Sequence, residues 1–198
     1  MTDAAKVRLR WSLLTLAAVA LIGALVAAAL FFGGFDTAAD YPWPQPISWA
    51  IHRTMTNSVK VRARAVAAPE RFTPAEVEAG FRLYDSHCAM CHGGPGLGRQ
   101  PWTAGLEPTP PYLVEAARRW SRSEMFLIVH DGVRMTAMPA WRGRFSPGQT
   151  WDVVAFLQAL PDLTARDYAR MRALAGPSPA GEPRGGGAVP SQASSPPR

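Results

Sequence analysis

The chain has 198 residues, with 21 Lys and Arg against 15 Asp and Glu and only two Cys. That length holds one compact domain plus appendages, and two Cys exclude a disulfide framework. The net charge of +6 is uneven: between residues 70 and 168, ten Arg face eleven acidic residues. The surplus is split between the N-terminus, the stretch from Arg53 to Arg64 and the tail, so nucleic acid is not an expected partner.

Residues 1–10 carry Lys6, Arg8 and Arg10 against Asp3, and Trp11 to Phe32 is a run of 22 residues without a charge. A helix of that length is about 33 Å long, enough for a hydrocarbon core of about 30 Å. Bases precede it, while Asp36 and Asp40 follow. The positive-inside rule therefore places residues 1–10 in the cytoplasm and the chain beyond residue 32 outside. A cleaved signal peptide competes with this reading, but its apolar core would run only about 7–15 residues, and Thr37-Ala38-Ala39 is an indifferent cleavage site. A retained transmembrane anchor over 11–32 is the expectation.

Residues 33–71 form a connector. Tyr41-Pro42-Trp43-Pro44-Gln45-Pro46 should be extended and stiff. The spacing of Ile47, Ile51, Met55 and Val59 predicts a helix over 47–65 with one apolar stripe. Arg53, Lys60, Arg62 and Arg64 give it a basic side. Two readings stand: a spacer helix, on lipid or on its own domain, and a docking element for a partner subunit.

From residue 72 the pattern is dense. Thr73-Pro74-Ala75-Glu76 is a capping box with Pro at the first helical position. The helix it opens runs through Gly80, Phe81 and Tyr84 into Cys88-Ala89-Met90-Cys91-His92. Cys-x-x-Cys-His is the attachment pattern of c-type haem. Residues three apart share one face of a helical turn, so Cys88 and Cys91 can both form thioethers to one macrocycle. His92 is then placed to offer an imidazole nitrogen to the iron. Three other readings are weaker. A thioredoxin-like pair needs a preceding apolar strand, and zinc would need four ligands from one short run including His87. A disulfide between residues three apart closes too small a loop to stabilise much.

Breakers follow at Pro95, Gly96, Gly98, Pro101, Pro108, Pro110 and Pro111. Ser121-Arg122-Ser123-Glu124 is a second capping box, opening a helix to about His130 that Gly132 stops. Ser146-Pro147-Gly148-Gln149 starts a third helix, which ends before Pro161. No stretch alternates with period two, so the expected fold is all-α. Residues 169–198, rich in Gly, Pro, Ser and Ala, read as a disordered tail.

A second axial ligand is sought in Gly132 to Trp141, where Met138-Pro139 offers a thioether in a turn that Pro139 fixes. Met135 and His130 are its rivals. With this loop in view, residues 72 to about 161 resemble a class I cytochrome c. The resemblance is carried by Gly80, Phe81 and Tyr84 ahead of Cys88-x-x-Cys91-His92-Gly93, by Met138-Pro139, and by the helix from Trp151 to Leu160. It implies an all-α domain over 72–168 around one covalent haem c, with His92 and Met138 as axial ligands of the iron. A proline carbonyl, of Pro95 or Pro101, would orient the proximal imidazole, and an aromatic of the last helix would pack where Gly80 permits close crossing. The implied function is single-electron transfer between redox protein partners, with the anchor in the inner membrane and the haem domain in the periplasm. A fixed relay subunit beside a dehydrogenase or oxidase is the alternative. A haem enzyme or gas sensor would need an open axial site, and no distal His–Arg pair is apparent. Arg134, Arg142 and Arg144, with Arg118, Arg119 and Arg122, are candidate docking charges.

Overall fold

The structure, a computed structural model, describes residues 2–34, 38 and 43–176. It divides into two units, Met1–Tyr41 and Pro42–Arg198. The first unit holds α1, Asp3–Phe31. This helix begins ahead of the apolar run because Lys and Arg are good helix formers and Asp3 lies in the first turn, where a carboxylate suits the N-terminal dipole. Its most apolar window has a mean hydropathy of 2.6, and none of its residues is buried. By length and composition α1 can cross a membrane. Most of Thr37-Ala38-Ala39 and the start of the Pro-rich segment lie outside the described residues.

In the second unit come α2 Gln45–Ala63, α3 Pro74–His87, α4 Ala89–His92, a 3-10 turn at Pro101–Gly105, α5 Ala116–Arg119, α6 Arg122–Asp131, α7 Pro147–Ala159, a second 3-10 turn at Leu160–Asp162, and α8 Ala165–Ala175. The described residues contain no strand, only an isolated bridge between Gly94 and Leu97. The all-α expectation holds. Both expected capping boxes form, at Thr73 with Glu76 and Ser121 with Glu124, and the expected third helix start at Ser146 closes a box with Gln149 as well. Each satisfies two backbone donors that a helix start leaves free.

Two boundaries move: α2 takes in Gln45 and Pro46, expected to be extended, and ends at Ala63, and the helical domain runs past residue 168. A fourth capping box, Thr164 with Asp167, opens α8, so residues 169–175 are helical and not tail. Tyr168 on this helix is 1% exposed, and its burial is what fastens the segment to the domain. Residues 177–198 of the expected tail lie outside the described residues. Near the other end, α2 packs against α6, burying Val59 and Ala63. Arg62 pairs with Asp131, Ser123 Oγ donates to the Val66 carbonyl at 2.8 Å, and Arg122 donates to the carbonyls of Pro69 and Glu70. The helix within the connector is thus seated on its own domain by one face.

The domain centres on the contact of α3 with α7. Phe81 and Tyr84 from α3 meet Phe156 from α7 at ring-centroid distances of 5.5 and 5.0 Å, and Tyr168 meets Phe81 at 5.5 Å. All four rings are buried, and offset or edge-on pairs of this kind add about 0.5–1.5 kcal/mol each beyond their area. Gly80 sets the approach. A Cβ there would overlap the Asp152 carbonyl oxygen and come within 3.0 Å of Phe156 Cβ. The aromatic at the crossing is Phe156; Trp151, which also lies on α7, stacks on Phe126 at 4.4 Å instead.

Gly80→Ala should therefore cost about 1–3 kcal/mol of stability through overpacking. Gly98→Ala, where a Cβ meets nothing within 4 Å, should stay within about 0.5 kcal/mol. Thermal unfolding of the two variants checks the contrast.

Candidate functional site

Helix α3 ends at Cys88 and a tighter turn, α4, follows at once. The Cys91 and His92 amides both return to the Cys88 carbonyl, at 3.0 and 2.9 Å. This holds Cys88, Cys91 and His92 on one compact turn. The two thiols are unbonded, Cys88 buried and Cys91 half-buried. Burial pushes the Cys88 thiol up to about 12, with Cys91 adding to the shift, and burial raises Cys91 as well. Behind the turn, the buried Tyr84 hydroxyl donates to the Gly93 carbonyl at 2.8 Å, tying the end of the motif back to α3.

His92 is 9% exposed. Its Nδ1 lies 2.7 Å from the Pro111 carbonyl. A carbonyl only accepts, so Nδ1 carries the proton and Nε2 keeps its lone pair. Burial lowers the imidazole's affinity for a second proton, the Pro111 bond opposes that, and the Arg99 charge adds to it. The partner carbonyl is neither Pro95 nor Pro101, the two the resemblance offered, but Pro111, 19 residues on. The intervening loop folds back on itself: Arg99 donates to the Pro110 carbonyl and lies 4.3 Å from the Tyr112 ring centroid, and the Gln100 amide donates to the Met90 carbonyl at 3.0 Å.

His87 does not join a metal set. Its Nδ1 faces the Leu83 carbonyl at 3.1 Å, and its ring packs edge-on against Trp141 and Phe145, each at 5.3 Å. Among the described residues no group of three or more His, Cys, Asp or Glu is arranged to hold a metal ion.

The loop carrying Met138 is fixed by its backbone. Val133 N donates to the Met138 carbonyl at 3.1 Å, Trp141 N to Val129 at 3.3 Å and Arg142 N to His130 at 3.0 Å. The Thr136 hydroxyl bridges the Val133 carbonyl and the Met138 amide, at 2.7 and 3.0 Å. Met138 is half-buried and packs on the core that contains Cys88. The rivals are placed elsewhere. Met135 is 57% exposed with φ of 59°, and His130 stacks on Phe126 at 5.2 Å with Nδ1 2.8 Å from Asp131. On α2, His52 is exposed and meets Arg119 at 3.2 Å. Of the candidate docking charges, Arg118, Arg119, Arg122 and Arg142 have partners within the chain.

One turn presenting two thiols and a neutral, oriented imidazole, set in an all-α domain closed at Gly80, defines a c-type cytochrome domain. More particularly, residues 75–157 match the family described as cytochrome c oxidase, cbb3-type, subunit III. Over 92 residues the chain is also 28% identical to a quinohemoprotein alcohol dehydrogenase of Comamonas testosteroni. The match takes in 46% of this chain and 12% of that protein. A c-type cytochrome domain implies haem c and electron transfer. The donors fit that group: two free thiols for vinyl addition, an imidazole whose Nε2 is available, and a thioether on the same core.

Asp131 is the brace between this loop and the rest. It takes Arg62 from α2, the His130 ring and, at 3.4 Å, Arg142. Burial would raise its carboxyl, but hydrogen bonds and charge from Arg62 and His130 hold it below the usual value of 3.8. A depressed carboxylate contributes stability that is complete above its unfolded value and is lost as pH falls through the folded one. Asp131→Asn should cost about 1.5–3 kcal/mol at neutral pH and lose less than the parent chain on acidification below about pH 4. Urea unfolding at a series of pH values checks both.

Proposed function

We propose that the protein is a membrane-anchored mono-haem cytochrome carrying single electrons between redox proteins on the outer side of the cytoplasmic membrane. In this reading α1 is the retained anchor, its basic N-terminal residues lie in the cytoplasm, and the domain beginning at about residue 72 lies in the periplasm. Haem c, when bound, supplies an iron that takes up and gives back one electron. Cys88 and Cys91 would hold it covalently, His92 through Nε2 and Met138 through its sulfur would be its axial ligands. The observation that carries this assignment is the His92 Nδ1 contact to Pro111 at 2.7 Å, which orients the ring and fixes its tautomer.

The chain's own contributions are orientation and exclusion of water. The aromatic core around Phe81, Tyr84 and Phe156 shields the cysteine turn, and the backbone-tied 133–142 loop presents one thioether. Two protein ligands of this kind would leave no open position for a substrate, and a polarisable sulfur would favour the reduced iron. Arg134 and Arg144 are exposed and without ion-pair partners among the described residues, so they are the charges left to steer an acidic partner. A fixed relay subunit is a second reading. It draws on the matching family's description as an oxidase subunit and on the relative's name as a dehydrogenase.

Covalent attachment is tested by haem staining after denaturing electrophoresis: the intact chain should stain, and a Cys88→Ala/Cys91→Ala variant should not. The sulfur ligand is tested by spectroscopy. Met138→Ala should abolish the weak far-red band of the ferric protein, lower the reduction potential and admit carbon monoxide to the ferrous form. Met135→Ala should change none of these. Ready carbon monoxide binding by the parent protein would instead mean an open site and the sensor or enzyme reading.

A further inference from the structure

Helix α2 contains no acidic residue along its 19 positions. The other helices of the domain with ten residues or more all carry acid: Glu76, Glu78 and Asp85 with Arg82 on α3, Glu124 and Asp131 with Arg122 on α6, Asp152 alone on α7, and Asp167 with Arg166, Arg170 and Arg172 on α8. One face of α2 is occupied by α6, through Val59 and Ala63. About a quarter of a turn round the helix from Val59 and Ala63, an exposed flank carries Trp49, Arg53, Lys60 and, at the C-cap, Arg64, at spacings of four, seven and four, so they fall in one stripe. Trp49 is 68% exposed and Val61, beside the stripe, 59%. Arg53, Lys60 and Arg64 are exposed and form no ion pair with the described residues, whereas Arg62, on the packed side, is taken by Asp131.

We infer that this free face of α2 lies on the membrane surface and binds anionic lipid headgroups, setting how the domain is presented to its partners. The inference rests on the anchor proposed above. Thirteen residues separate Phe31 from Gln45, a leash of at most about 45 Å. A surface that is individually weak in binding therefore meets the bilayer at high effective concentration. Lys and Arg without acidic neighbours are attracted to anionic headgroups, and an exposed Trp favours the interfacial layer. Trp49 lies at the end of the stripe nearer the anchor in sequence. An acidic protein would suit the charges equally, but the bilayer is the one acidic surface the anchor keeps within reach.

The chain supplies its own reporter, since Lys6 and Lys60 are its only lysines. The full-length, haem-loaded protein is placed in lipid nanodiscs, either wholly zwitterionic or with a third of the lipid anionic. Acylation of Lys60 by a water-soluble ester is then followed by mass spectrometry. Lys60 should react at least about fivefold more slowly on the anionic discs. High salt, or Arg53→Gln/Arg64→Gln, should restore the rate without altering the haem spectrum. Equal rates on the two discs overturn the inference, and protection seen only in native membranes overturns it in favour of an acidic protein partner. Alkaline carbonate washing reads the anchor separately. If it strips the chain from vesicles, the anchor reading fails, and the stripe is then read by salt-sensitive sedimentation with anionic vesicles, whose absence overturns it as well.

Discussion

The domain depends on two backbones touching. Where α3 passes α7, residue 80 has no side chain, and the Asp152 carbonyl occupies the space a Cβ would need. Everything on α3 is positioned by that approach. Phe81 and Tyr84 reach Phe156 only at this separation, and the Tyr84 hydroxyl, once buried there, must find an acceptor. It finds the Gly93 carbonyl, just past His92. A contact eight residues before the first cysteine thus governs where the cysteine turn sits. Close packing of this kind leaves no slack for a methyl group.

Local signals made the helices legible, and long-range contacts did not show. Three Ser/Thr-x-x-Glu/Gln boxes marked helix starts correctly because capping is a property of four consecutive residues. Thr164-x-x-Asp167 obeys the same chemistry but heads a segment rich in Arg and Ala, where Tyr168 is the one buried residue and Arg172 pairs with Asp85; such a composition reads like tail. The short α5 likewise carries no periodic signal. The choice of Pro111 over Pro95 or Pro101 was not legible for a different reason. Which carbonyl of a proline-rich loop reaches an imidazole is decided by how the loop closes, through Arg99, Gln100 and Tyr112, and no spacing encodes that. Cysteine and histidine spacing, by contrast, is itself the chemistry, so the attachment motif was readable at once.

Helix α2 shows how one element can serve two environments. Its apolar spacing was visible in the sequence, yet which side would be covered was not. The structure assigns the Val59 and Ala63 side to α6 and commits Arg62 and His52 to partners on the domain. What remains outward is a stripe of Trp49, Arg53, Lys60 and Arg64 on a helix without an acidic residue, unlike α3, α6, α7 and α8. The domain's near balance of charge between residues 70 and 168 makes this one-signed helix stand out against it.

The loop from Val133 to Arg142 is tied to α6 by main-chain bonds at Val129 and His130 and closed on itself at Met138, while the His92 ring is pinned by a carbonyl from the other side of the chain. The loop bonds are all main-chain bonds, which carry no ionisable group. For the ligand pair proposed, both donors would be held by bonds of the protein's own making. A preorganised pair of this kind would rearrange little when an electron is transferred. The pace of traffic through such a protein is then governed by how often, and at what angle, two molecules meet.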